Sequence, residues 1–259
     1  LKFIKMNPTL FISHGAPNTI SVDSKTKINL KNITKEFKKP KYIVVVSAHW
    51  ITKGLKIINP LAKELMYDFY GFEEEMYKIK YPLKSDINFT NSLLEILKDF
   101  NPTIDENRTS FDHGVWTPLY MMFEKVDIPV IQISLPFDFS PKELLQIGEK
   151  LRLIRDDSLI IASGSITHNL RNVSYNPFEK ADNLVIRFDE KIRNILKNGD
   201  IPQILEFEKI ENFHQMHPSF EHFLPLFVAL GASYDYVGIG FNNEILNGAI
   251  SMESYIFKG

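Results

Sequence analysis

The sequence contains no cysteine. That absence excludes disulfides, thiolate zinc sites, iron–sulfur clusters and a cysteine nucleophile. It permits a reducing cytoplasm, the compartment expected for this chain. Neither charge is in surplus: 30 Lys and Arg against 32 Asp and Glu leave a formal net charge of −2. Such a balance supplies no electrostatic footprint for nucleic acid or an anionic membrane. Long hydrophobic runs are also missing. The opening LKFIKMNPTLFISHGAP carries two lysines, but its apolar stretch is about five residues, too short for a signal segment or a membrane span. There are no repeats, no low-complexity linkers and no G-x-S-x-G stretch, and ASGSITH lacks the spacing of a serine nucleophile. What the 259 residues do supply, at 44% hydrophobic composition, is a sizeable core without covalent staples.

The apolar segments alternate in kind. TLFIS (9–13), YIVVVSA (42–48), IPVIQISL (128–135) and SLIIASGS (158–165) read as buried strands, and GLKIIN (54–59) as a further one. Helices are predicted over 27–39, 86–99, 140–155, 183–199 and 217–233. Ser140 with Pro141 forms the start of the third, and the last opens at Pro218 and stops at Gly231. The tail SMESYIFKG has the alternation of an edge strand. Strands that alternate with helices predict an α/β fold, a central sheet covered by helices on both faces. Ligands in such sheets collect outside the carboxyl ends of the strands.

Three strands end in Ser with a His a few residues on: His14, His49 and His168. If the strands are parallel, their ends converge. Imidazole is the commonest neutral metal ligand, so histidines at equivalent strand ends point to a metal more strongly than any one alone. His222 shares a predicted helix face with Leu226 and Leu230, which implies burial, and a buried imidazole needs a partner. His217 is read as a pocket or capping residue beside Pro218, and His214 as surface. His113, in SFDHGVWTPL, is either a pocket residue or part of a turn before a helix starting at Thr117-Pro118. His168 leaves a small-residue loop as an acid, a base or a ligand.

SHGAP, VVVSAHW, YDFYGFEEEMYKIKYP (67–82), DHGVWTPL, ASGSITHNLR and HPSFEHFLPLFVALGA run from residue 13 to residue 232. In kind and order they resemble the motifs of the class III extradiol ring-cleaving dioxygenases, the LigB-type family, in its DOPA 4,5-dioxygenase-like branch. The resemblance implies one catalytic domain over 1–259, with a mixed, mostly parallel sheet and a mononuclear metal at the strand carboxyl ends. It implies non-haem Fe(II), a catechol substrate and O2. Carried over by motif, His14, His49 and His222 match the metal ligands, His168 the acid/base and His113 a second pocket histidine. LigB-type members place Glu at the third ligand position; here His222 aligns, with Glu221 beside it. Such an all-histidine set is neutral and leaves the full metal charge to favour a doubly deprotonated catechol. Tyr70 and Trp50 are candidates for walling the substrate ring. Zn(II) binds such nitrogens more tightly than Fe(II) but does not relay electrons. The rival readings are therefore a zinc hydrolase on the same histidines and a non-catalytic metal-binding relative. The expected partners are the catechol and O2, with no nucleic acid and no membrane, in a monomer or homodimer.

Overall fold

Eight of the apolar segments form one sheet: β1 (Thr9–Ser13), β2 (Tyr42–Thr52), β3 (Lys56–Ile58), β4 (Thr103–Asp105), β5 (Val130–Pro136), β6 (Ser158–Gly164), β7 (Gly238–Gly240) and β8 (Tyr255–Phe257). They come from a computed structural model that describes residues 6–259; Lys2 and Lys5 of the opening stretch lie outside them. The order across the sheet is β4-β3-β5-β2-β6-β1-β8-β7. The four central strands, β5, β2, β6 and β1, are parallel. β8 runs antiparallel to β1 and to β7, and β3 antiparallel to β5 and parallel to β4. Every residue of β1, β5 and β6 is buried. Continuous apolar runs of this kind suit strands covered on both faces.

The covering helices are α1 (Lys25–Ile33), α2 (Ile87–Ile96), α3 (His113–Met122), α4 (Pro141–Leu151), α5 (Asn183–Lys197), α6 (Ile201–Leu205), α7 (Phe213–Met216) and α8 (Pro225–Gly231). α4 opens on a capping box, in which Ser140 accepts from the Glu143 amide and the Glu143 side chain accepts from the Ser140 amide. Together these elements make a single α/β domain with a mixed, mostly parallel sheet. No helix among the described residues is long and apolar enough to cross a membrane.

Three local expectations are corrected. The helix expected over 217–233 is helical only from Pro225 to Gly231. Pro225 has no N–H for the carbonyl of Glu221, and the carbonyl of His222 accepts from Ser165 instead. α3 begins at His113 rather than at Thr117, with Pro118 inside it. The tail is not an edge strand: β8 is paired on both sides, and the edge is β7.

Arg155 ties the amino end of β6 to its surroundings. It is fully buried, and its guanidinium donates to the carbonyls of Asn7 at 2.7 Å and Ala232 at 2.8 Å. Arg155→Met keeps the bulk but strands those oxygens. It should cost about 2–4 kcal/mol in urea unfolding; a loss below about 0.5 kcal/mol would show that water replaces the guanidinium.

Candidate active site

β2, β6 and β1 are adjacent and parallel, so their carboxyl ends lie side by side. His14 follows β1 directly, and its N–H bonds the Gly164 carbonyl at 3.1 Å. β2 continues past His49 with a slipped register. Val46 faces Ile133 and Ile51 faces Leu135, so five steps along β2 span two along β5. That bulge re-aims the residues between, His49 among them. β6 ends at Gly164, where the turn bearing His222 is laid across it. A Cβ at 164 would stand 2.1 Å from the His222 oxygen, so the close approach requires glycine.

His14, His49, His113, His168 and His222 converge there. The His14 and His49 Nε2 atoms are 3.0 Å apart, and those of His49 and His222 are 3.2 Å apart. The other nitrogen of each ring faces an acceptor. His14 Nδ1 lies 2.9 Å from Ser163 Oγ, whose own proton goes to the Gly114 carbonyl at 2.5 Å. The hydroxyl must therefore accept, and His14 Nδ1 carries the proton. His222 Nδ1 donates to Glu221 Oε1 at 3.0 Å. His49 Nδ1 lies 3.6 Å from Asp68 Oδ2. With Nδ1–H on each ring, three Nε2 lone pairs face one another.

Bare lone pairs at that separation repel, so the arrangement calls for a cation between them. Bonds of about 2.1 Å meeting at right angles put two imidazole nitrogens about 3.0 Å apart, and the observed spacing fits. His14, His49 and His113 also offer ring nitrogens within 4.8 Å of one another, as do His168, Glu221 and His222 in their donor atoms. In His113, however, Nδ1 is bound to Asp68 Oδ1 at 3.0 Å, and its backbone N–H donates to the same oxygen at 2.9 Å. Glu221 stands behind His222, on the Nδ1 side. His168 stacks on His222 with ring centroids 3.4 Å apart and planes 11° apart, its Nδ1 3.9 Å from Glu221.

Burial is the largest influence on the rings of His14, His49, His168 and His222 and favours their neutral form. It keeps His14 and His222 well below the usual imidazole value, and neighbouring histidines add to the effect. His49 is pushed down to about 3 by burial and His113, against the pull of Asp68. His168 is lowered by burial, with Glu221 opposing. Burial raises Asp68, but hydrogen bonds from His113 outweigh it and leave the carboxylate below its ordinary value.

Among the described residues, neither aromatic candidate makes a ring contact with the histidines. Tyr70 is 92% exposed, a poor setting for a residue that walls a ring. Trp50 is buried with the Arg108 guanidinium 5.0 Å over its face. The aromatic that touches the cluster is Phe69, edge-on to His113 at 5.7 Å. Sequence reasoning passed over Asp68 and Ser163; an acid inside the aromatic YDFYGF stretch was the available signal for the first. A surface hollow of about 760 Å³ lined by Lys31, Lys35, Pro82 and Lys125 shares no residue with the histidines. The convergent imidazoles, and not the hollow, mark the site.

Fold and site together describe a single α/β domain with a histidine cluster that could hold a metal ion at the carboxyl ends of parallel strands. Residues 8–252 match the family of the catalytic LigB subunit of aromatic ring-opening dioxygenase, and the chain belongs to that family. It is 31% identical over 229 residues to the 4,5-DOPA dioxygenase extradiol of Escherichia coli K12, covering 87% of this chain and 84% of the relative. To the 4,5-DOPA dioxygenase extradiol of Beta vulgaris it is 33% identical over 237 residues, covering 87% and 86%. The crystal structure of an uncharacterized protein from Escherichia coli K12 superposes with a TM-score of 0.79 at 28% identity, covering 97% of this chain and 99% of the other. LigB dioxygenases are non-haem metal enzymes, and the histidines present fit that requirement.

Ser163→Ala removes the acceptor that fixes His14. Affinity for Co(II), titrated against a chelator, should fall about 10–100-fold; an unchanged affinity would refute the tautomer assigned above. The depressed histidines also set a pH dependence. Each binds its proton more weakly folded than unfolded, so acid favours the unfolded chain. Their contribution is complete above about pH 6.5 and is lost as pH falls toward the folded value, about 3 for His49. The metal-free protein should lose up to about 1.4 kcal/mol per pH unit for each such histidine below pH 6.5. A urea midpoint that stays level from pH 7 to 5 would contradict this.

Proposed function

We propose that this chain is a single-domain, Fe(II)-dependent extradiol dioxygenase that opens the ring of a DOPA-like catechol with O2. The observation that carries this reading is the inward-facing Nε2 set of His14, His49 and His222, with Nδ1 of His14 and His222 hydrogen-bonded behind and that of His49 facing Asp68 at 3.6 Å. These three would hold the metal. When bound, Fe(II) supplies positions for the catechol oxygens and O2 and passes electrons between them. The relatives named 4,5-DOPA dioxygenase extradiol support the substrate class.

His168 acts as the base and then the acid. Burial keeps it neutral at pH 7, so it can take a proton from a catechol hydroxyl. The carboxylate of Glu221, 3.9 Å from Nδ1, favours the imidazolium that results. The returned proton completes the cycle. His113, whose Nδ1–H is committed to Asp68, presents Nε2 as an acceptor for a substrate hydroxyl. Phe69 lies where a planar ring could pack beside His113.

The test is anaerobic reconstitution with Fe(II) and with Zn(II), followed by oxygen uptake with a panel of catechols that includes L-DOPA and protocatechuate. Uptake with Fe(II) alone, with a new yellow ring-opened chromophore, is expected. No uptake with any catechol, despite one metal per chain, would shift the assignment to a zinc hydrolase or a binding protein. His168→Ala should keep its metal and lose about 10²–10⁴-fold in turnover. Loss of metal in that variant would make His168 a ligand.

A further inference from the structure

Four hydrogen bonds tie together the segments that carry His168 and His222. Ser165 N–H donates to the His222 carbonyl at 2.8 Å, and His168 N–H to the Met216 carbonyl at 2.8 Å. The other two use side chains: Asn169 Nδ2 donates to the Gln215 carbonyl at 2.7 Å, and His217 Nε2 lies 2.7 Å from the Ile166 carbonyl. A carbonyl only accepts, so Nε2 carries the proton and Nδ1 is a bare acceptor. That Nδ1 is buried and has no partner among the described residues.

His217 is fully buried in an apolar nest. Its ring stacks on Phe213 at 5.0 Å and 19°, with Phe223 at 5.2 Å and Phe188 at 6.2 Å. An unpartnered nitrogen among phenyl rings opposes folding. A leucine or phenylalanine would fill the nest without that cost, so the part of His217 that matters is its Nε2–H. Burial pushes the ring down to about 4, which keeps it in the neutral Nε2–H form across the working range.

The oxygen it holds is well placed to matter. Thr167 is anchored through its side chain, which donates to Ala249 and accepts from the Ser251 amide. The Ile166–Thr167 peptide itself has no hydrogen bond but the one from His217 among the described residues. It lies one residue before the Thr167–His168 peptide, which is held by His168 N–H to the Met216 carbonyl and by the Ser165 hydroxyl to the Thr167 carbonyl at 2.8 Å, so the Ile166–Thr167 plane sets how the chain enters His168. We infer that His217 is a positioning residue: its Nε2–H fixes the Ile166–Thr167 peptide and so holds His168 in its stack on His222. The inference rests on reading His168 as the acid/base.

Gln and Asn separate this role from packing, because they are chemically alike and differ in reach. The amide nitrogen of Gln stands near Nε2; that of Asn stands near Nδ1 and falls short of Ile166. In His217→Asn, hydrogen exchange at peptides spanning 165–168 of the metal-free protein should quicken about tenfold or more, with Co(II) affinity unchanged. In the Fe(II) enzyme, kcat should fall about 10–100-fold with KM within about threefold, the signature of a misplaced group. His217→Gln should restore exchange and kcat to within about threefold of wild type. Equal damage in Asn and Gln, or wild-type exchange in Asn, would overturn the inference. Failure of ring cleavage in the wild type would be seen in the oxygen assay. The exchange contrast between Asn and Gln would still decide whether His217 fixes the loop.

Discussion

Pro118 has no N–H to give to the carbonyl of Gly114, four residues back in α3. The Ser163 hydroxyl takes that oxygen instead. With its proton spent, Ser163 can only accept from His14, and His14 then presents its Nε2 lone pair to the centre. A helix-breaking residue in one element thereby fixes the tautomer of an imidazole on another. Gly114 must also be bare for this to work. A Cβ there would lie 2.3 Å from Ser47 Oγ and 3.1 Å from the His49 ring. The way His14 faces the cluster depends on this chain of directed donors.

The same logic recurs with a different acceptor each time. A hydroxyl orients His14, while carboxylates face His49 and His222. Asp68 serves His49 and His113 together, and it meets the first N–H of α3, where an anion is favoured by the helix dipole. The inner ring of neutral nitrogens is therefore backed by the carboxylates of Asp68 and Glu221. Their two negative charges offset part of what a divalent ion brings. The pull on the proton of any hydroxyl held there is weaker than the neutral ligand set alone implies.

The strands were legible because buried parallel strands are continuous apolar runs, and the histidines because they follow those runs. The failures have local causes. Residues 218–224 have helical periodicity, but Pro225 and the capture of the His222 carbonyl by Ser165 keep them out of the helix. His222 is buried all the same, held by a turn and not by a helix face. The register slip in β2 left no mark in the sequence, since it reflects pairing with β5. Tyr70 and Phe69 are neighbours of similar character, and only the fold shows which one turns inward. The tail carries no functional motif, yet the Ser13 hydroxyl donates to the Glu253 carbonyl at 2.7 Å and the Ser13 N–H donates to Ser254 Oγ at 3.1 Å.

That last contact bears on how the protein is made. Ser13 immediately precedes His14, and β1 lies in the sheet between β6 and β8. His14 and His222 are 208 residues apart (222 − 14), and Glu253 and Ser254 come later still. During synthesis the first histidine must wait until the 208 residues to His222 have left the ribosome. Long-range closure of this kind is slow. Assembly of the histidine cluster is thus a late event in the life of the chain, and a stalled nascent protein would carry histidines that have not yet been brought together.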